Sequence, residues 1–126
     1  MSGVGLVIVS HSQALAEGVV ELASQMAKDV PLRAAGGMDD GAIGTSYQKI
    51  EDAVRSLRNQ GHSVLILTDL GSATMTVEML VEDADDEQIL FQDAPLVEGA
   101  VAASVAAQMG DGLAEVAKAA AEAFSA

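Results

Sequence analysis

Two side chains that can handle a phosphoryl group each follow an apolar run. His11 follows residues 4–9, and Asp69 follows residues 64–68. An imidazole can act as a base, a nucleophile or a phosphoryl acceptor near neutral pH. A carboxylate that bonds to one ring nitrogen fixes the tautomer and leaves the other nitrogen as the nucleophile. The pair therefore predicts phosphohistidine chemistry, with His11 as the acceptor and Asp69 as the residue that orients it.

The same residues also have structural interpretations. His11 could be an ordinary hydrogen-bonded residue at the end of a strand, and Asp69 could be a turn or cap residue. The other histidine, His62, follows Gly61 and precedes an apolar run, which predicts an exposed turn residue. The methionines fall on apolar faces and are predicted to fill the core. Four glycines could serve only to supply positive φ: Gly36, Gly37, Gly41 and Gly44.

The spacing of apolar residues predicts strands that alternate with helices. Strands are expected at 4–9, 30–35, 64–68 and 89–91. Helices are expected at 12–28, from the candidate caps Thr45 and Ser46 to Gly61, around Val77 and Leu80, at 96–109, and after Gly112 to a point near Phe124. The acidic run 82–87 is interpreted as a solvated turn.

This alternation predicts an α/β fold with a doubly wound, mostly parallel sheet and helices on both faces. The loops that follow parallel strands leave the same edge of the sheet, where such folds place their chemistry. We therefore expect His11, the 36–46 loop, residues 69–72 and residues 93–95 to converge there.

The length of 126 residues fits one compact domain, predicted to span residues 1–126. The chain has no cysteine, which removes disulfides, thiolate nucleophiles and the usual zinc frameworks. With only two histidines, far apart, we expect no metal site. These features favour a cytoplasmic protein.

The formal net charge is −13. Such a charge repels phosphate backbones and anionic membranes, so we expect neither nucleic acid nor membrane binding. It favours a protein partner with a basic patch. No secretory leader pattern opens the chain and no apolar run is long enough to span a membrane, which predicts a soluble, unprocessed protein.

Several familiar sites are missing from the sequence. No Gly-x-x-x-x-Gly-Lys-Ser/Thr follows a predicted strand, so the chain is not expected to hold ATP itself. Gly3 and Gly5 precede the first strand and are not a dinucleotide fingerprint. A receiver-like site would need acids where Ser10, His11 and Ser12 stand, and no Gly-x-Ser-x-Gly elbow occurs.

Four blocks in order along nearly the whole chain resemble the phosphoryl-donor subunit of phosphoenolpyruvate-dependent dihydroxyacetone kinase, a mannose-type IIA-like domain. The blocks are residues 5–12 with 15–18, residues 34–37 with 40–46, residues 69–73, and residues 94–100. Together they are specific, whereas any one alone would be weak.

The resemblance implies that His11 takes phosphate from the histidine-containing phosphocarrier protein. It would pass the phosphate to ADP held on the nucleotide-binding subunit of the kinase, so no cofactor is expected on this chain. A homodimer is also implied. Some relatives carry fused phosphocarrier and enzyme I-like domains. Because this chain ends at Ala126, we expect those proteins to be supplied separately.

Backbone N–H groups and hydroxyls near His11 are the expected ligands of the transferred phosphoryl group. The candidates are Ser12, Gly37, Thr45, Ser46, Gly71 and Ser72. Two alternatives stay open. A IIA component of a mannose-type sugar transporter would share the chemistry of His11 but deliver its phosphate to a IIB protein. A non-catalytic regulatory module would use the same acidic edge for binding alone.

Overall fold

A computed structural model describes residues 3–123. Its strands are β1 (Val4–Ser10), β2 (Leu32–Gly36), β3 (Ser63–Thr68) and β4 (Ile89–Phe91). Its helices are α1 (Gln13–Met26), α2 (Tyr47–Asn59), α3 (Gly71–Ala84), α4 (Leu96–Gln108) and α5 (Leu113–Ala121). Within the described range, every predicted strand and helix is present. The expected end of the last helix near Phe124 lies outside the described residues.

The four strands form one parallel sheet in the order β2-β1-β3-β4. All seven residues of β1 are buried, as expected for a central strand covered on both faces. In the register, Val9 lies beside Ala35 of β2 and beside Thr68 of β3. The ends of these three strands are therefore level, and the predicted α/β class with a parallel sheet is confirmed.

Alternate residues of β1 point into two separate layers. Leu6 and Ile8 belong to the core beneath α1, α4 and α5, whereas Val7 and Val9 belong to the core beneath α2 and α3. Alanines fill much of the first layer, so its helices can approach the sheet closely: Ala16, Ala100, Ala103, Ala117 and Ala120. Helices thus cover both faces, which fixes where each strand end lies.

The methionines lie on the surface, so the prediction that they fill the core is wrong. All five within residues 3–123 are exposed: Met26, Met38, Met75, Met79 and Met109. On α1 the buried positions are taken by Ala16, Val19 and Ala23. The buried stripe of α1 is narrow, and Met26 falls outside it.

Two local predictions also need correction. The acidic run is not all turn, because α3 continues to Ala84 and ends where Asp85 adopts a left-handed conformation with φ of 47°. His62 is half-buried rather than exposed. The Arg58 guanidinium folds back to donate to the His62 carbonyl at 3.0 Å, and the Nδ1 of His62 is shielded from solvent.

No helix within the described residues is long and apolar enough to cross a bilayer.

Candidate active site

The site lies where β1 and β3 end side by side. The register that pairs Val9 with Thr68 brings the next residues of each strand to the same edge. His11 and Asp69, 58 residues apart in sequence, meet there through backbone and side chain. The sheet topology alone therefore assembles the pair that the sequence predicted.

The Asp69 carboxylate accepts four hydrogen bonds. Its Oδ2 accepts from the Ser10 hydroxyl at 2.8 Å and from the His11 backbone N–H at 2.9 Å. Its Oδ1 lies 2.7 Å from the backbone N of Leu70 and 3.0 Å from the Nδ1 of His11. Burial works to raise the pKa of Asp69, but these hydrogen bonds outweigh it and hold the pKa below its ordinary value. Asp69 is therefore ionised at neutral pH.

The charge of Asp69 decides how the imidazole is protonated. An ionised carboxylate only accepts hydrogen bonds, so Nδ1 of His11 carries the proton that it donates to Oδ1. The neutral ring then has its lone pair on Nε2, which lies 2.6 Å from the Oγ of Ser72. In that tautomer the Ser72 hydroxyl donates to Nε2. The His11 side chain is 19% exposed, so part of it can be reached from solvent.

The backbone of β1 beyond the sheet is fixed by the loop that follows β2. The Gly37 N–H donates to the Ser10 carbonyl at 3.1 Å, and the Gly44 N–H donates to the His11 carbonyl at 2.9 Å. Gly37 has a φ of 72°, which glycine adopts without strain. The loop after β2 thus holds the residue that would be phosphorylated.

Gly36 is required by a close approach and not by its φ, which corrects the prediction that it only supplies positive φ. A Cβ on Gly36 would lie 2.5 Å from the Ser12 carbonyl oxygen and 2.7 Å from the Cα of Gln13. The end of β2 therefore touches the backbone at the start of α1. This contact sets where α1 begins relative to His11.

Two helices begin beside the imidazole. Ser12 caps α1, because its Oγ accepts from the Leu15 N–H at 3.1 Å. The first residues of α3 are Gly71 and Ser72, and no side chain caps that helix. Within residues 3–123, no acceptor is recorded for the N–H groups of Gly71 and Ser72. The positive end of the α3 dipole therefore lies beside Ser72, whose hydroxyl contacts Nε2 of His11.

The sequence model of the EIIA-man family, described as the PTS system fructose IIA component, matches residues 5–117. The chain belongs to the EIIA-man family.

Curated relatives of this EIIA-man chain are phosphotransferase subunits. It is 43% identical over 105 residues to the phosphoryl donor subunit DhaM of PEP-dependent dihydroxyacetone kinase 1 of Listeria innocua, covering 83% of this chain and 82% of that protein. It is 40% identical over 106 residues to the phosphotransferase subunit DhaM of the PTS-dependent dihydroxyacetone kinase of Lactococcus lactis, covering 84% of each. The predicted resemblance and enzyme class are confirmed.

A solved structure supports the EIIA-man fold. The crystal structure of EF1359, a protein of unknown function, matches with a TM-score of 0.86 and 31% identity, covering 100% of this chain and 98% of that one. The likeness confirms the mannose-type IIA-like architecture.

Some of the predicted phosphate ligands of this EIIA-man chain already use their N–H or O–H groups in hydrogen bonds within the protein. The Ser12 N–H donates to the Ser10 hydroxyl, and the Gly37 N–H is used by β1. Ser46 caps α2, accepting from the Lys49 N–H and donating to Asp39. Thr45 lies half-buried beside Gly44 with no hydrogen bond recorded for its hydroxyl in the described chain.

One residue of the site received no role from the sequence. Ser10 is fully buried; its hydroxyl donates to Asp69 and accepts from the Ser12 N–H. A hydroxyl residue ending an otherwise apolar run was the signal that could have identified it. The predicted segment 93–95 follows β4, which β3 separates from β1, and within the described residues no hydrogen bond joins it to His11.

Proposed function

We propose that this chain is a phosphohistidine carrier of a phosphoenolpyruvate-dependent dihydroxyacetone kinase. It takes a phosphoryl group from the histidine-containing phosphocarrier protein and passes it to ADP held on the nucleotide-binding subunit. The observation that carries the proposal is the Asp69–His11–Ser72 chain of hydrogen bonds, which leaves Nε2 as a nucleophile at a helix N-terminus. The names of its curated relatives indicate the pathway.

Loading begins when Ser72 releases the Nε2 lone pair. Nε2 attacks phosphorus, the new P–Nε2 bond forms, and the bond from phosphorus to the donor's histidine nitrogen breaks. The ring of His11 becomes cationic while its Nδ1 proton stays on the bond to Asp69. The ionised carboxylate stabilises that charge, as a charge-assisted hydrogen bond contributes about 1.5–3 kcal/mol.

Discharge runs the same geometry in reverse. An oxygen of the β-phosphate of ADP attacks phosphorus, the P–Nε2 bond breaks, and the electron pair returns to Nε2 as ATP forms on the partner subunit. The chain itself needs no cofactor, because the partner subunit supplies the nucleotide.

The phosphoryl oxygens are held by the free donors around Nε2. The N–H groups of Gly71 and Ser72, the Ser72 hydroxyl and the Thr45 hydroxyl are the proposed ligands. Ser12, Gly37 and Ser46 support these indirectly by holding the loops and helix starts in place. The homodimer implied by the resemblance and the cytoplasmic location favoured by the composition stay predictions.

A second candidate is a IIA component of a mannose-type sugar transporter. It is favoured by the description of the matching family as a PTS fructose IIA component. The chemistry at His11 would be the same, and only the acceptor would differ.

The test follows labelled phosphate. With phosphoenolpyruvate, enzyme I and the phosphocarrier, the wild-type chain should gain one acid-labile, alkali-stable phosphate, and His11→Ala should gain none. His62→Ala is the matched control and should load normally. Full labelling of His11→Ala would overturn the assignment.

The destination is tested with the loaded chain. The label should move to ADP presented by the nucleotide-binding subunit, and free ADP should be a poor acceptor. Rapid discharge into a mannose-type IIB protein, with none into the ADP-loaded subunit, would instead select the transporter.

A further inference from the structure

The first turn of α3 carries the hydroxyl that contacts the nucleophile. Ser72 lies in that turn, and its Oγ is 2.6 Å from the Nε2 of His11. A separation of about 3.6 Å would no longer be a hydrogen bond. A displacement of the turn by about 1 Å is therefore enough to part the two groups, so the position of α3 relative to β3 matters for the site.

The first turn of α3 has few attachments of its own. No side chain caps the helix, and its N-cap residue, Leu70, is 60% exposed. A Cβ on Gly71 would have no neighbour within 4 Å outside its own helix, and the buried side chain of this turn is only the methyl group of Ala73. The start of α1, in contrast, is capped by Ser12 and lies against Gly36. The start of α3 therefore depends on a different attachment.

Two threonine hydroxyls supply that attachment. Thr68 is the last residue of β3, Thr74 is the fourth residue of α3, and their Oγ1 atoms are 2.7 Å apart. Thr68 is 7% exposed, so this hydrogen bond is largely shielded from water. The Thr74 backbone N–H donates to the Leu70 carbonyl at 3.1 Å, which closes the turn that contains Ser72. The bond between the two hydroxyls thus ties that turn to β3.

The direction of the Thr68 side chain follows from the pleat of β3. Side chains two residues apart on a strand share a face, and Val64 and Ile66 belong to the core beneath α2 and α3. Thr68 continues that face and points to α3. The next residue, Asp69, points away from it and binds His11. The end of β3 therefore supplies the carboxylate and also receives the helix that carries Ser72.

We propose that Thr68 and Thr74 are positioning residues for phosphoryl transfer at His11. Their hydrogen bond holds Ser72 at the distance at which its hydroxyl meets Nε2. Within residues 3–123, neither threonine forms a hydrogen bond with His11, so both act through Ser72. The proposal rests on the proposed function, because an effect on transfer requires His11 to be the phosphoryl acceptor.

Replacing both threonines with valine moves the helix without leaving a hydroxyl unpaired. The two oxygens lie 2.7 Å apart, whereas carbon atoms in contact stand about 3.5–4.0 Å apart. The double variant Thr68→Val, Thr74→Val therefore displaces the start of α3 from β3 by about 1 Å. Its stability to urea should change little, because an apolar pair of similar shape replaces a hydrogen-bonded pair.

The rate at which the phosphocarrier loads His11 tests the proposal. The double valine variant should load about three- to tenfold more slowly, through kcat and with KM unchanged. The double serine variant Thr68→Ser, Thr74→Ser keeps both hydroxyls and should load as fast as wild type. Ser63→Ala is the control, since the Ser63 hydroxyl joins the other end of β3 to Gln88. This variant should also load normally.

Two further measurements show whether the threonines act through Ser72. The nitrogen NMR resonance of Nε2 is recorded in the unphosphorylated chain, without any donor. It should move in the same direction in the double valine variant as in Ser72→Ala, because both lose the hydrogen bond to Nε2. When Ser72→Ala is already present, adding the two valines should slow loading no further.

The outcomes separate this proposal from the proposed function. If the double valine variant loads at the wild-type rate, or slows Ser72→Ala as much as it slows wild type, the positioning role is wrong and His11 is still the acceptor. Equal slowing by serine and by valine would assign the effect to packing and would also overturn the role. A wild-type chain that takes up no label would overturn both proposals. Should the double valine variant fail to fold, Thr74→Val and Thr74→Ser provide the same comparison.

Discussion

Asp69 acts on both the backbone and the ring of His11. One oxygen holds the His11 N–H and the Ser10 hydroxyl, and the other holds Nδ1. Fixing the backbone and the ring from the same carboxylate leaves the imidazole little freedom to turn. Position and tautomer are therefore set together, before any partner arrives.

Replacing Asp69 with asparagine tests this double role. An amide keeps the shape but loses the charge, and its NH₂ can donate to Nδ1, which places the proton on Nε2 and removes the nucleophile. We expect Asp69→Asn to slow the loading of His11 by at least about tenfold, measured as the rate of label uptake. Asp93→Asn, an exposed acid after β4, should load normally. If Asp69→Asn took up label at the same rate as wild type, Asp69 would have only a structural role as a cap.

The same variant predicts a dependence of stability on pH. The pKa of Asp69 is lower in the folded protein than its ordinary value of 3.8. Its contribution to the free energy of unfolding is thus complete above that value and is lost as pH falls through the lower folded pKa. Urea unfolding should show a larger gap between wild type and Asp69→Asn at about pH 7 than at about pH 3. A gap independent of pH would contradict the cause assigned to the shift.

At the scale of elements, the contact between β2 and α1 positions the site. Gly36→Ala would force a Cβ against the backbone of Ser12 and Gln13. A backbone cannot yield as a flexible side chain does, so α1 must move away from β2. We expect a loss of about 1–3 kcal/mol in the free energy of unfolding and slower loading of His11.

Gly18→Ala is the control for this prediction. Nothing lies within 4 Å of a Cβ at Gly18, in the middle of α1. Removing a helical glycine should stabilise the protein by about 0.5–1 kcal/mol. Urea unfolding measures both variants, and equal effects of the two would contradict the close contact.

Elements with a strong local signal were predictable. The run 64–68 became β3, and Ser46 capped α2 as expected, because each depends on a few neighbouring residues. The pair of His11 and Asp69 was predictable because the parallel topology brings the strand ends together. What the sequence could not give were distances between elements. The surface position of Met75, the need for Gly36 and the role of Ser10 all depend on how closely helices and strands approach.

At the scale of the whole molecule, the net charge of −13 influences how the chain associates with other proteins. It attracts a basic partner over a distance set by the Debye length, about 10 Å at 0.1 M salt and about 3 Å at 1 M.

We therefore expect KM for the phosphocarrier to rise several-fold as salt rises from about 0.1 M to about 1 M, while kcat stays nearly constant. Steady-state loading rates measure both. A KM that does not change with salt would contradict an electrostatic attraction between this chain and the phosphocarrier.

The central place of β1 has a consequence for the order of events during folding. β1 is the first strand to be synthesised, and it lies between β2 and β3 in the sheet. The hydrogen-bond partners of His11, Asp69 and Ser72, come 58 and 61 residues later in the chain. Such distant contacts form late and slowly. We expect that no donor can phosphorylate His11 in a nascent chain that ends before Ser72. In a refolding sample, the fraction of molecules that take up label would then equal the fraction in which β1 and β3 are already paired in register. Its increase with time would measure the rate at which the sheet forms.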